Sequence, residues 1–172
     1  MELVECIEKR ISVRSFSDDD VPEEVVSEAL RLAQLAPSAG NLQARDFIIV
    51  RDPETKRKLS RAAFGQAFIE EAPVVIVCCA NLNRIRNYGA RGTDLYCLQD
   101  VAASVENIML YVCSQGFGSC WVGAFDEAEA CKALQLPGHA RPIVLIPIGR
   151  PREQGSRTPR LKLDTVTHNE KW

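Results

Sequence analysis

Donor side chains crowd into the segment KRISVRSFS near the N-terminus. Arg10, Ser12 and Arg14 alternate there with Ile11 and Val13, so an extended backbone would put the three polar side chains on one side. Two guanidinium groups and a hydroxyl on one side of a strand can surround a phosphate. Alternatively, both arginines pair with the acidic run DDD that follows, and spacing alone does not decide between the two interpretations.

Two further segments combine small residues with hydrogen-bonding groups. The first, APSAGNLQARDF at residues 36–47, follows a predicted helix and offers Ser38, Asn41 and backbone donors immediately before a strand. The second, GFGSCWVGAF at residues 116–125, has glycines that permit a flat ligand to approach the backbone. Taken singly, the first is also typical of an ordinary helix–strand loop, and the second of tight packing around Trp121.

The sequence motifs of several other chemistries are absent. GFGSCWVG has its third glycine in the wrong place for a dinucleotide fingerprint, and no GxSxG nucleophile elbow occurs. The two histidines, His139 and His168, lie in no convincing context for a Ser/His/Asp triad or a metal site. The seven cysteines form no CxxC pair and are predicted to be reduced, mostly buried thiols.

Composition predicts a cytoplasmic protein of one domain over its 172 residues. A net charge of −2 argues against general attraction to nucleic acid or to an anionic membrane. The N-terminal stretch MELVECIEKR carries acids and lacks the apolar core of a signal peptide. The longest apolar run, residues 72–80, is too short to span a bilayer. We therefore expect neither a nucleic-acid nor a membrane partner.

Hydrophobic periodicity predicts the elements that would position these segments. Helices are predicted over residues 2–10, from a capping box at Asp20 and Glu23 to about Ala36, and over residues 53–62, 66–71, 96–115 and 126–134. Strands are predicted over residues 46–51, 72–80, 119–125 and 141–149, and a polar loop over residues 81–94. Strands interleaved with helices through unequal connections indicate an α+β fold or a mixed sheet.

The three candidate segments together resemble the nitroreductase family of FMN-dependent oxidoreductases. The matching stretches are RISVRSF, APSAGNLQ, FIEEAPVVIV, YCLQDVAASVENIMLYV, GFGSCWVGAF, IPIGRP and the closing RLKLDTVTHNEKW. They occur in the order typical of the family and cover essentially the whole chain. The resemblance implies an α+β, nitroreductase-like fold with a mixed, mostly antiparallel sheet flanked by helices. It also implies an intertwined homodimer with two FMN molecules at the subunit interface.

The resemblance further implies one FMN-binding domain over residues 1–172, whose C-terminal tail at residues 150–172 docks on the dimer. The implied cofactor-binding residues form three groups. They are Arg10, Ser12 and Arg14 at the phosphate and ribityl chain, Pro37, Ser38 and Asn41 at the flavin of the other subunit, and Ser119, Cys120, Trp121, Val122 and Gly123 along the ring. Arg150 or Arg160 would complete the phosphate site, and the resemblance does not choose between them.

The implied activity is hydride transfer from NADH or NADPH to the flavin. Two electrons then pass to a nitroaromatic, quinone or flavin acceptor by a ping-pong mechanism. The flavin itself is the redox centre, so neither a catalytic side chain nor a metal is expected. The sequence departs from the family pattern at Ala44 and Arg45, where Arg45 would lie near the cofactor edge or point to solvent. The short lid segment at residues 81–94 would leave an open pocket and a broad acceptor range.

Three other functions stay open on the sequence alone. A flavin-binding module for storage or sensing would hold FMN without turnover. Dehalogenases and flavin-fragmenting enzymes share the implied fold, although this chain lacks the longer lid or the polar groups that such chemistry usually needs. An anion- or nucleotide-binding protein without flavin is the remaining alternative.

Overall fold

The computed structural model describes residues 1–153 and 155–172, which build a four-stranded antiparallel sheet with helices on both faces. The strands, in the spatial order β1-β2-β4-β3, are β1 Arg45–Val50, β2 Val74–Asn81, β3 Gly118–Ser119 and β4 Ala140–Gly149. Arg45 lies opposite Ala80 in the first pair, and Gly118 lies opposite Gly149 in the last. A parallel bridge between Ser12 and Ser119 extends the sheet beyond β3. The predicted mixed, mostly antiparallel sheet is confirmed.

α-Helices precede the first strand and connect the strands. They are α1 Leu3–Lys9, α2 Glu23–Gln34, α3 Pro53–Ala62, α4 Phe68–Glu71, α5 Leu82–Ile85, α6 Gly89–Arg91, α7 Cys97–Ser114 and α8 Glu127–Leu134. Shorter turns of 3₁₀-helix lie at Ala39–Asn41, Arg86–Tyr88 and Leu163–Thr165, and a π-helix at Gly92–Tyr96. Within the described ranges, no helix has the length and apolarity needed to cross a membrane.

Strand β2 is buried along its whole length and separates two apolar cores. Its alternate side chains point to opposite faces, as the pleat of a strand requires. Val74, Ile76 and Cys78 pack in the core that also contains residues of α2 and α7, such as Ala29 and Val105. The intervening residues Val75, Val77 and Cys79 pack in the second core with side chains of α3, α4 and α8. Burial on both faces explains the continuous apolar run in the sequence.

Most predicted elements are confirmed to within a few residues, but the capping box is wrong. Helix α2 follows Pro22, and no side chain caps its first turn. Asp20 instead accepts a hydrogen bond of 2.8 Å from Arg51, whose guanidinium also donates to the carbonyl of Val21 at 2.7 Å. The same Asp20 Oδ1 also accepts a hydrogen bond of 2.8 Å from the N–H of Val21. The carboxylate is thus used before the helix begins, because the N-cap residue is Pro22, two positions further on.

The predicted polar loop at residues 81–94 is wrong as well, because this segment is largely helical. The Asn81 side chain caps α5 by accepting a hydrogen bond of 3.2 Å from the Arg84 N–H. Gly92 then permits close packing, since a Cβ there would lie 2.6 Å from the carbonyl oxygen of Ile85. The glycines that suggested a loop allow successive short helical turns to pack together.

The predicted strand at residues 119–125 is also shorter than expected. Its ladder with β4 ends at Ser119, and one further bridge joins Val122 to Leu145. The N-terminal segment after α1 lies against this edge, where the Val13 N–H donates to the Ser119 carbonyl at 3.0 Å. The Val13 side chain fills the space that a Cβ at Gly118 would occupy. This packing buries Val13 and leaves its polar neighbours on the outer side.

Candidate functional site

A cationic cavity of about 250 Å³ brings together the two ends of the chain. The lining residues are Arg10, Ile11, Ser12 and Arg14 from the N-terminal segment and Ser156, Arg157, Thr158 and Arg160 from the tail. The lining residues in the described part of the chain include four arginines and three hydroxyl side chains, and none of them is acidic. Guanidinium and hydroxyl donors of this kind bind phosphate or carboxylate groups.

The arginines of this cavity are not neutralised by the nearby acidic run. That run pairs with other side chains: Asp18 with Arg152 at 3.4 Å and Asp20 with Arg51 at 2.8 Å. In the part of the chain that the structure describes, Arg10 has one carboxylate neighbour, the exposed Glu106, at 3.8 Å from its Nε. The alternative interpretation, in which Arg10 and Arg14 serve to pair with the aspartates, is therefore wrong.

The tail supplies one arginine that the sequence identified and one that it missed. Arg160 lines the cavity, whereas the guanidinium of Arg150 lies over the ring of Phe117, 4.8 Å from its centroid, and does not line it. Arg157 also lines the cavity and donates a hydrogen bond of 2.8 Å to the carbonyl of Ile7 near the end of α1. The basic spacing in SRTPR was the available signal for Arg157, but nothing in the sequence showed that the tail folds back.

In the glycine-rich segment at residues 116–125, which was expected to face a flat ligand, only some of the side chains are exposed. Trp121 is 40% exposed and Gly123 is exposed, whereas the side chains of Ser119, Cys120 and Val122 are buried. Those three could contact a ligand only through their backbone. Burial raises the pKa of the Cys120 thiol against the opposing effect of nearby Arg14, so it stays protonated at neutral pH.

The third expected group lies elsewhere, in the turn between α2 and β1. Pro37, Ser38 and Asn41 do not line the cationic cavity. The turn leads into β1, and the N-terminal segment lies against β3, so the two groups approach opposite edges of the sheet. Those edges are separated by three strand spacings, roughly 14 Å. A single chain therefore keeps the two groups apart.

Arg45 holds this turn from inside the protein. Its side chain is only 1% exposed. The guanidinium donates hydrogen bonds to four backbone carbonyl groups. They are those of Gln34 at 2.9 Å, Ala36 at 2.8 Å, Pro37 at 3.2 Å and Asp100 at 3.5 Å. The expectation that Arg45 lies at the cofactor edge or in solvent is wrong. The reason is that carbonyl groups at the end of a helix lack helical partners, and here the arginine satisfies them.

Asp100 completes the support of the turn from helix α7. Its Oδ1 accepts a hydrogen bond of 2.9 Å from the N–H of Ala39. Its Oδ2 is buried and has no hydrogen-bond partner among the described residues. Burial lowers the pKa of Arg45, and the nearby negative charge of Asp100 opposes that effect. Among the described residues the two side chains form no direct ion pair, and Arg45 contacts Asp100 at its backbone carbonyl. Asp100 therefore compensates the charge of Arg45 from a distance.

This chain is similar to known proteins in both sequence and structure. The model of the Nitroreductase family matches residues 7–71 and 61–150. A Thermus thermophilus protein named NADH dehydrogenase is 35% identical over 186 residues, which cover 92% of this chain and 91% of the relative. A Bacillus subtilis protein named FMN reductase (NAD(P)H) is 28% identical over 99% of this chain and 74% of its own length. The structure of NfrA2 from B. megaterium superposes with a TM-score of 0.93 at 28% identity, covering 100% of this chain and 76% of that one.

We expect Arg45→Met to lower the free energy of unfolding by about 3–5 kcal/mol, because it leaves buried carbonyl groups unsatisfied and the charge of Asp100 uncompensated. Arg31→Met is the matched control, since Arg31 is exposed and its ion-pair partner within the described residues is the exposed Glu28, at 2.7 Å. The control should change stability by less than about 1 kcal/mol. Urea denaturation followed by circular dichroism measures both values. Equal effects of the two substitutions would contradict the role given to Arg45.

Proposed function

Because this chain belongs to the nitroreductase family, we propose that it is an FMN-dependent oxidoreductase that takes its electrons from NADH or NADPH. The observation that carries the proposal is the cationic cavity, in which Arg10, Ser12, Arg14 and Arg160 meet. The name of the B. subtilis relative, FMN reductase (NAD(P)H), supports both the cofactor and the electron donor.

The residues of the cavity fit the phosphate group of FMN. A phosphate monoester carries a charge of about −1.5 to −2 at neutral pH. The cavity offers four guanidinium groups for this charge, and its described lining contains no carboxylate. Arg10, Arg14, Arg157 and Arg160 would hold the phosphate, with Ser12 as a further donor. Trp121 and Gly123 lie exposed on the neighbouring glycine-rich segment and would line the flat ring.

Bound FMN would supply the redox chemistry, since flavins accept and release two electrons. The chain would bind and orient this cofactor and its substrates. We propose that the nicotinamide and the acceptor use one exposed face in turn, which is a ping-pong mechanism. The proposed acceptors are nitroaromatics, quinones and flavins. The raised pKa of Cys120 supports a mechanism without a thiolate, because a neutral thiol is a poor nucleophile.

We propose that the working unit is a homodimer with two shared FMN sites. Helix α1 and the tail both present large apolar side chains to the outside: Leu3, Val4, Ile7, Leu161, Leu163, Val166 and Trp172. Leu161 and Leu163 are 73% and 77% exposed, which fits a tail that docks on a second copy. Sharing would also unite the two groups of site residues that one chain holds at opposite edges of its sheet. On this proposal, residues 1–172 form one domain completed by its partner.

Anaerobic reduction of the FMN-loaded protein tests the activity. We expect NADH or NADPH to bleach the visible absorbance of bound flavin, and a quinone added afterwards to restore it. These separate half-reactions are the signature of a ping-pong mechanism. Flavin that stays oxidised with both nicotinamides would favour a storage or sensing module. A protein that gains no visible spectrum with FMN would favour an anion-binding protein without flavin.

Removal of single arginines tests the phosphate site. We expect Arg10→Ala, Arg14→Ala or Arg160→Ala to weaken FMN binding by about ten- to a hundredfold, because each removes a charge-assisted hydrogen bond. Arg150→Ala is the matched control and should change the dissociation constant by less than about threefold, since Arg150 lies over Phe117 instead of lining the cavity. Fluorescence titration measures these affinities. Riboflavin, which lacks the phosphate, should bind wild type poorly and respond little to the same substitutions.

Mixed dimers test whether the site is shared. One chain carries Arg10→Ala and Arg14→Ala, and the other carries Ser38→Ala and Asn41→Ala. If the two groups serve different subunits' flavins, each mixed dimer has one site with every lesion and one site with none. Isolated mixed dimers should then bind FMN tightly at half of their sites, although both parent dimers bind weakly.

Sites built within one chain would give a different titration. Every site in the mixed dimer would then carry one pair of lesions, and no tight class would appear. That result, obtained with parents that fold and dimerise, would rule out the shared site.

A further inference from the structure

Phe64 combines backbone strain with exposure, which core packing does not explain. Its φ is +57°, in the left-handed region that a bulky L-residue rarely adopts. Its side chain is 74% exposed, so burial of the ring does not offset this strain. Strained backbone of this kind persists where surrounding structure enforces it, and it is concentrated at functional sites.

The turn after α3 enforces this conformation through several hydrogen bonds. The N–H of Phe64 donates to the carbonyl of Arg61 at 3.0 Å, and the N–H of Gly65 donates to that of Ser60 at 2.9 Å. The Ser60 hydroxyl also donates to the carbonyl of Gln66 at 3.0 Å. This pattern closes the end of the helix with Phe64 at the position that glycine or asparagine usually occupies.

Two further hydrogen bonds fix the turn beside the glycine-rich segment. The side-chain amide of Gln66 donates to the carbonyl of Ala124 at 3.2 Å. The N–H of Asp126 donates to the carbonyl of Ala62 at 2.8 Å. Ala124 follows directly on Gly123 and is exposed like it. The backbone turn that carries Phe64 is therefore tied to the same segment that presents Trp121.

We infer that Phe64 determines specificity for the electron acceptor. Its ring would pack against planar aromatic acceptors that bind beside the glycine-rich segment. The inference rests on the proposed function and adds a residue to it. Aromatic rings pack favourably edge-to-face or offset on one another, and a rigidly held ring loses little freedom on binding. A strained backbone is then retained because it keeps the ring outside the core, where an acceptor reaches it. Phe64 would therefore favour planar quinones and nitroaromatics over non-aromatic oxidants.

Phe64→Asn tests the inference through stability and kinetics together. Asparagine tolerates the left-handed region, so the melting temperature should rise by about 2–6 °C. Loss of the ring should raise the KM for 2-methyl-1,4-naphthoquinone about three- to tenfold relative to the KM for ferricyanide, which has no aromatic ring. Phe64→Leu should raise the same KM ratio without the gain in melting temperature, because it removes the ring but keeps the strain. Phe64→Tyr keeps a ring and should restore the low ratio.

Gln135→Asn is the matched control for strain alone. Gln135 also has a left-handed φ, +52°, at the exposed end of α8. This substitution should leave the KM ratio unchanged, while the melting temperature stays equal or rises.

A wild-type protein that reduces neither acceptor with NADH or NADPH would refute the proposed function and this inference with it. An active wild type whose KM ratio is unaltered by Phe64→Asn would overturn the role of Phe64 and leave the proposed function standing. A change in the KM ratio that appears only when the Phe64→Asn dimer dissociates would also overturn this role. That result would place Phe64 in the subunit interface.

Discussion

Strand β2 is buried on both faces, and this constraint decides where the chain can carry chemistry. All eight residues of the strand are buried. Because helices cover both faces of the sheet, polar groups that must reach a ligand are displaced to its edges. The N-terminal segment places its arginines beyond β3, and the turn after α2 leads into β1 at the other edge. The separation of the two groups of site residues thus follows from the same packing that stabilises the core.

Two buried charged side chains, Arg45 and Asp100, make that packing compatible with an irregular turn. Without Arg45, the carbonyl groups at the end of α2 would face an apolar core and would lose hydrogen bonds to water without replacement. The arginine satisfies them, and Asp100 provides the compensating charge from α7. Ordered elements on two sides therefore fix the turn that carries Ser38 and Asn41. Such a turn needs little reorganisation to meet a ligand.

The sequence predicted what depends on local pattern and missed what depends on tertiary contacts. Helix α3 was predicted with its exact bounds because Asp52 caps it and Pro53 begins it. The buried Arg45 was missed because a charged residue at the start of a strand is ordinarily expected in solvent. The helical turns after β2 were missed because Gly92 predicts a loop unless its contact with Ile85 is known. The resemblance grouped Arg160 with the N-terminal arginines but could not separate it from Arg150, since only the folded tail shows which one lines the cavity.

The C-terminal tail, residues 150–172, contributes both to the charge of the cavity and to the proposed association of two chains. Four guanidinium groups close to one another repel, and an anion between them turns that repulsion into attraction. Two of the four belong to the tail, so a bound anion favours the folded-back position of the tail over any other. The same tail carries the exposed Leu161 and Leu163, which gain from burial against a second copy. Anion binding and dimerisation then favour one tail position, and by linkage each strengthens the other.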